Sequence, residues 1–364
     1  MLRSKLWLTA GITLFVLLIA GHLHTATGRQ PFAPAEDFWF FIPLVASEGQ
    51  QATPTPQPTT ISPPPTRPPA GSIVVNHTSV TQFEHIPEQY LNAAANLRML
   101  FIDRSVGGNI NDGLTCLSYP SDEVAPSHCK RWEHPVAAYS VDPGELNWSR
   151  PDGYDRSNWE YRYWEGDCAY WSSKIDCFIQ MVSPDINQYD VVSFQYSYLS
   201  VDESSTIADQ PGGYFWDNAA YSDVYDQEAY EAQHPDKIFI YWTTSLARGI
   251  GTTVATDFNN QMREYAIANQ KPLFDVADIL SHTPDGRPCY DNRDGVPYDP
   301  RPDDPDNPVE NYPDDGVNLP AICQEYTTET DGGHLGSVSA GKIRVAKAFW
   351  VLMARIAGWD GVVR

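Results

Sequence analysis

Basic residues are scarce in this chain: 24 Lys and Arg stand against 47 Asp and Glu, a formal net charge of -23 over 364 residues. A surface that negative repels polyanions, which excludes nucleic acid as a partner over most of it. Long apolar runs are missing as well, with one exception near the start. "LWLTAGITLFVLLIAG", residues 6–21, is uncharged for 16 residues, follows Arg3 and Lys5, and falls short of the roughly 20 apolar residues of a spanning helix. It reads as an export signal with small residues for cleavage at Ala26–Gly28, or else as an uncleaved anchor. On either reading the remainder is secreted or extracellular, with a membrane tether through residues 6–21 in the second case. No two cysteines have the two-to-four-residue spacing of a zinc knuckle, so no metal and no other cofactor is expected. No internal repeat is visible.

What is present fits that compartment. The cysteines form an even set, Cys116, Cys129, Cys168, Cys177, Cys289 and Cys323, and export favours disulfides. Sequence neighbours give the simplest pairing: Cys116 with Cys129, Cys168 with Cys177, Cys289 with Cys323. A hydrophobic share of 42% with 12% aromatics is enough for a sizeable core. "QQATPTPQPTTISPPPTRPPAGS" has no apolar face to bury and reads as an extended spacer. The chain is therefore divided into a signal or anchor at 1–28, a Pro/Thr-rich linker at 29–72 and a folded domain at 73–364.

Within that domain, short buried runs at 97–103, 190–196, 237–244 and 272–278 read as strands. Helical patterns lie between and after them, at "PEQYLNAAANL", "SSKIDCFIQMV", "ATDFNNQMREYAIANQ" and "SAGKIRVAKAFWVLMARIAG". The alternation predicts an α/β fold with a mostly parallel sheet wrapped by helices. Residues 116–172 and 284–325 break the rhythm and read as disulfide-stapled loop insertions. The acidic stretch Asp291–Asp315 reads as a solvated loop rather than a calcium loop, because Tyr290 stands where the first aspartate would be.

In such a sheet ligands bind beyond the carboxyl ends of the strands, and "FIDRSVGGNINDG" puts Ser105 there, directly after the first strong strand. Gly107 and Gly108 let the chain turn sharply and aim amides at a reacting oxygen. A serine needs a base to act as a nucleophile, and the base needs an orienting acid. "TETDGGHLGS" supplies both near the other end: His334, with Asp331 three residues earlier on a tight loop. The plain alternative is a capping serine, a loop acid and a surface histidine.

A serine after the first strand and a terminal Asp-x-x-His ahead of the last helix resemble the SGNH (GDSL-like) hydrolase superfamily, in a divergent secreted form. "DRSVGGNINDGL" is similar to its first block and "DGGHL" to its last. The resemblance implies a flavodoxin-like α/β/α sandwich and a serine esterase with Ser105 as nucleophile, His334 as base and Asp331 as orienting acid. The chain departs from the pattern twice. Arg104 separates Asp103 from Ser105, and the third block, "VVSFQYSYLSVD", lacks the asparagine that helps form the oxyanion hole. The expected oxyanion donors are therefore Gly108, Asn109, Gly144 and Gln195, with Gly153, Gly166 and Ser197 as further options.

The substrate expected is an ester. Trp148, Trp159, Trp164 and Trp171, interleaved with tyrosines, suggest an acylated polysaccharide if they form a stacking platform, and a small local core if they do not. Two other readings stand beside the esterase. One is a surface binding or structural protein whose catalytic apparatus has decayed; the other is a serine peptidase.

Overall fold

Five runs rich in aromatic and aliphatic residues, with little charge in them, have little to offer water and become five of the six strands of a parallel sheet covered on both sides. The computed structural model describes residues 73–363 except 142, 165–167, 169–170, 202–204, 206, 208–221, 250–251, 292–296, 299–309, 312–315 and 330–331. The segments expected to form an export signal or anchor and a Pro/Thr-rich spacer, residues 1–72, thus lie wholly outside the described residues, as does most of the acidic loop. The described residues belong to one unit, Ser62–Arg364.

The strands are β1 (Val74–Val75), β2 (Met99–Asp103), β3 (Trp159–Tyr163), β4 (Val191–Phe194), β5 (Ile238–Trp242) and β6 (Leu273–Phe274). They form one six-stranded sheet in the order β1-β6-β5-β4-β2-β3, every pair parallel. Counted from β2, the order is the flavodoxin-like 2-1-3-4-5, with β1 added at the far edge. A separate antiparallel pair joins β7 (Pro297–Tyr298) to β8 (Glu310–Asn311). The helices are α1 (Glu88–Asn96), α2 (Val106–Leu117), α3 (Pro143–Leu146), α4 (Trp171–Val182), α5 (Val224–Gln233), α6 (Thr252–Ala268), α7 (Val276–Leu280) and α8 (Ser339–Ile356). Among the described residues no helix is long and apolar enough to cross a membrane.

The two faces of the sheet carry different helices. On one, Phe349 of α8 packs against Phe101, Trp242 and Phe274, and Phe101 stacks on Trp242 with ring centroids 5.1 Å apart. On the other, Phe178 of α4 stacks on Phe194 at 4.7 Å and meets Phe239 edge-on. Helix α8 is buried on every side, so its charged residues need partners. Lys342 reaches Asp112 of α2, Lys347 reaches Glu84 at 2.8 Å and the Asn147 carbonyl at 2.6 Å, and Arg344 donates to the Ile279 carbonyl.

The three disulfides join sequence neighbours as expected: Cys116–Cys129, Cys168–Cys177 and Cys289–Cys323. One expectation is corrected. Residues 116–172 are not all loop, because β3 lies inside them and pairs in register with β2 from Met99↔Trp159 to Asp103↔Tyr163. "WEYRY" is an edge strand with Trp159 buried and Glu160 and Tyr163 exposed, so polar residues interrupt its apolar run. The expected strand at 272–278 also stops at Phe274, where Asp275 caps α7 by accepting from the Asp278 amide at 3.2 Å.

Candidate active site

The switch in strand order falls between β2 and β4, and the crevice at their carboxyl ends is where this fold holds ligands. Ser105 stands at its mouth, between the last residue of β2 and the first turn of α2. Its backbone has φ 59° and ψ −111°, a conformation that a residue with a Cβ rarely adopts and that costs on the order of 1–3 kcal/mol. Such a turn from strand to helix lifts the side chain clear of the backbone.

What holds the turn is Asp103, the last residue of β2, 1% exposed. Its carboxylate accepts from the Arg104 and Gly107 amides and from Trp164 Nε1 at 3.2 Å, and Lys174 Nζ of α4 lies 3.7 Å away. Only glycine fits at 107, where a Cβ would stand 2.3 Å from Asp103 Oδ2. Burial pushes the Asp103 carboxyl up to about 6, against the pull of Lys174 and the two amides, and burial pushes the Lys174 amine down. A buried pair of this kind is costly to break. Lys174→Met leaves a lone buried carboxylate and is expected to destabilise the fold by about 3–5 kcal/mol in urea denaturation, with part of the loss recovered in the double variant with Asp103→Asn.

The histidine arrives from the far end of the domain. His334 Nε2 lies 2.6 Å from Ser105 Oγ, joining residues 229 positions apart. Its Nδ1 lies 2.6 Å from Glu329 Oε1, and its amide donates to Glu329 Oε2 at 2.9 Å. A carboxylate only accepts, so Nδ1 carries the proton and Nε2 turns its lone pair to the serine hydroxyl. The hydrogen bond that His334 donates to Glu329 raises the His334 pKa against the opposing effect of burial. Burial alone would raise Glu329, but its hydrogen bonds from His334 outweigh that and hold the carboxyl below its usual range.

The acid that meets His334 is Glu329, five residues before the histidine, where the sequence spacing pointed to Asp331. Asp331 itself lies outside the described residues. Gly332 and Gly333 allow the chain to fold back between acid and base: a Cβ would stand 2.0 Å from Glu329 Oε2 at the first and 2.0 Å from the Leu246 carbonyl oxygen at the second. The Arg248 amide donates to the Gly332 carbonyl at 3.0 Å and anchors the loop to the chain beyond β5. "TETDGGH" holds two acids, and sequence spacing alone does not choose between them.

Of the expected oxyanion residues, Gly108 lies in the first turn of α2, between the Gly107 amide, which donates to the Arg104 carbonyl, and the Asn109 amide, which donates to the Ser105 carbonyl. Asn109 belongs to the site in another way: its Oδ1 accepts from the Leu335 amide at 2.8 Å and locks the nucleophile helix to the histidine loop. Gln195 follows β4 directly, one position past the pair Ile102↔Phe194, and is fully buried with its carboxamide unpaired among the described residues. Gly144 is exposed in α3, beside the middle of α8, and is not brought into the constellation. Gly153 forms a turn at φ 65° with its amide donating to the Arg150 carbonyl, Ser197 caps the short turn after β4 by accepting from the Leu199 amide, and Gly166 lies outside the described residues.

The four tryptophans are core, not platform: Trp148, Trp159, Trp164 and Trp171 are each less than 5% exposed. Trp164 and Tyr161 brace the serine turn instead, the second through its hydroxyl, which donates to the Asp103 carbonyl at 2.9 Å. No family model matches this chain, and no curated protein or solved structure matches it either.

Proposed function

We propose that the chain is an exported serine ester hydrolase of the SGNH type, acting by two-step acyl transfer. The observation that carries the reading is the unbroken line from Ser105 Oγ to His334 Nε2 and from Nδ1 to Glu329, with both contacts at 2.6 Å. Ser105 attacks the ester carbonyl as His334 takes its proton, and the tetrahedral oxyanion is met by first-turn amides of α2. His334 then protonates the leaving alcohol, and water repeats the cycle on the acyl-enzyme. The flavodoxin-like strand order, with the nucleophile after the first strand of that order and the base before the last helix, supports the resemblance noted in the sequence. The disulfides support an oxidising compartment. The buried tryptophans remove the main argument for a polysaccharide substrate, leaving the ester itself as the substrate class.

One observation favours the rival reading of a decayed enzyme that now binds rather than cleaves. The third block has no asparagine, and loss of one oxyanion donor costs roughly 3–4 kcal/mol of transition-state stabilisation. Hydrolysis of p-nitrophenyl acetate by the purified chain separates the two. Turnover well above buffer supports the esterase; none, with the chain folded and its disulfides formed, supports the binder.

The same geometry sets the pH dependence. Ester cleavage needs His334 neutral, and its pKa is raised by Glu329, so the acid limb of kcat/KM is expected above pH 6.5. Activity falls as pH drops through that raised value. A pH–rate profile on p-nitrophenyl acetate reads the limb directly.

A further inference from the structure

The geometry points to a binding site for one divalent transition-metal ion, of the zinc class by its donors, between His77, Asp278 and His282. His77 opens the 3-10 turn His77–His85 that follows β1, whereas Asp278 and His282 belong to α7 and the residue pair just after it, following β6. Because β1 pairs with β6 in parallel, both segments leave the sheet side by side at its carboxyl end. The pair lies at the opposite edge of the sheet from β3, with β6 three and β1 four strand steps from β2, or about 14–19 Å at roughly 4.8 Å per step. The site is separate from Ser105.

Two imidazoles there turn the same edge toward one carboxylate. His77 Nδ1 is 2.6 Å from Asp278 Oδ2 and His282 Nδ1 is 3.6 Å from Oδ1, with the two rings stacked at 3.8 Å and 10° between their planes. One donor atom from each of the three residues lies within 4.8 Å of the others. The side chains are 20–23% exposed, so an ion reaches them from solvent while most of each ring stays fixed by packing.

Charge explains why a dication suits this arrangement. Two stacked imidazolium rings at 3.8 Å repel each other, and a single carboxylate cannot balance both. Two neutral rings aim nitrogen lone pairs at an anion unless each keeps a proton on that edge. A metal ion in place of those protons bonds all three groups at once. Two imidazoles with one carboxylate make a nitrogen-rich set that suits zinc and its neighbours, whereas calcium and magnesium take oxygen donors.

The donor separations agree with that class, while the stack has to open: an ion sits in the plane of each imidazole it binds, and two nearly parallel planes share no such point, so one ring turns as the ion enters. Zinc bonds of about 2.0–2.2 Å arranged tetrahedrally separate their donors by roughly 3.4 Å. The His282–Asp278 gap is already 3.6 Å, and the His77–Asp278 hydrogen bond at 2.6 Å opens by about 1 Å. His282 Nδ1 also meets the Asp278 carbonyl oxygen at 2.8 Å, a hydrogen bond exchanged for a coordinate bond on binding. The His77 amide, donating to Asp278 Oδ2 at 2.8 Å, holds the carboxylate in place. The other two groupings of possible ligands, around Cys116–Cys129 and Cys289–Cys323, contain sulfurs already spent in disulfides and offer no thiolate. Bound metal would clip the β1 edge of the sheet to α7.

Cobalt(II) is the probe, since its visible absorption reports nitrogen coordination. The full chain, disulfides intact and stripped with chelator, is titrated with Co2+ and then with Zn2+. One equivalent of Co2+ is expected to give a visible band that Zn2+ displaces. His77→Gln and His282→Gln are each expected to weaken binding at least tenfold, and Zn2+ is expected to raise Tm in the parent chain alone. Asp278→Asn serves as a third variant should either of the others fail to fold by circular dichroism. No stoichiometric band in the parent, or a band that the folded variants keep, overturns the site.

Discussion

Replacing Ser105 with alanine is expected to lower kcat on a simple aryl ester by up to about six orders of magnitude, which for a slow esterase means the buffer rate. The loss is that large because the proposed mechanism makes the hydroxyl the attacking atom: without it His334 would have no proton to take and no acyl-enzyme would form. The backbone at 105 allows a second arm. Its φ of 59° and ψ of −111° are easy for glycine and unfavourable for any residue with a Cβ. Ser105→Gly is therefore expected to be as inactive as Ser105→Ala but more stable than the parent by about 1 kcal/mol, read as a higher Tm. An inactive variant that gains stability separates a chemical role from a structural one.

The second large effect falls on the orienting acid. Glu329→Gln is expected to lower kcat by about 10^4-fold, because a carboxamide can hand its N–H to Nδ1 and leave the histidine in the wrong tautomer. The acid limb of the pH profile should also move down, since the hydrogen bond that raises the His334 pKa is weakened. Asp331→Asn, by contrast, is expected to leave kcat within a few-fold. Steady-state kinetics of the two variants side by side decide between the two acids, and the reverse ranking would return the role to Asp331.

That choice marks the limit of what the sequence makes legible. The buried strands are legible because both faces are covered: "MLFI" runs unbroken up to Asp103, "VVSF" is interrupted by Ser193 alone, and α8 announces itself by length. Strand β3 is hidden because an edge strand alternates, and "WEYRY" inside a cysteine-bounded, aromatic-rich stretch looks like loop. Ser105 and His334 stand out through their offsets from a strand end and a helix start. Glu329 does not, because which acid faces the ring depends on how the Gly332–Gly333 pair folds the chain, a three-dimensional fact. Asp103 and Lys174 escape for the same reason: a carboxylate at a strand end and a lysine in an amphipathic helix look ordinary until they are found 3.7 Å apart and buried.

The aromatic insertion shows the converse. Its tryptophans left open a platform for sugar rings or a packed core; burial makes all four core, and one of them, Trp164, supports the serine turn through the Asp103 carboxylate, with Lys174 Nζ 5.1 Å from its ring centroid. The Cys168–Cys177 disulfide tethers the middle of α4, about one turn beyond the lysine, to the same insertion. The Ser105 turn thus rests on a buried ion pair, an aromatic wedge and a covalent tie, none of which would contribute an atom to the proposed reaction.

The most direct test of the account is labelling of the folded chain with a fluorophosphonate, followed by mass-spectrometric mapping of the modified peptide. The account predicts a single adduct on Ser105, lost in His334→Ala although the serine remains. An adduct on another residue, or none on a folded and fully oxidised chain, would contradict it.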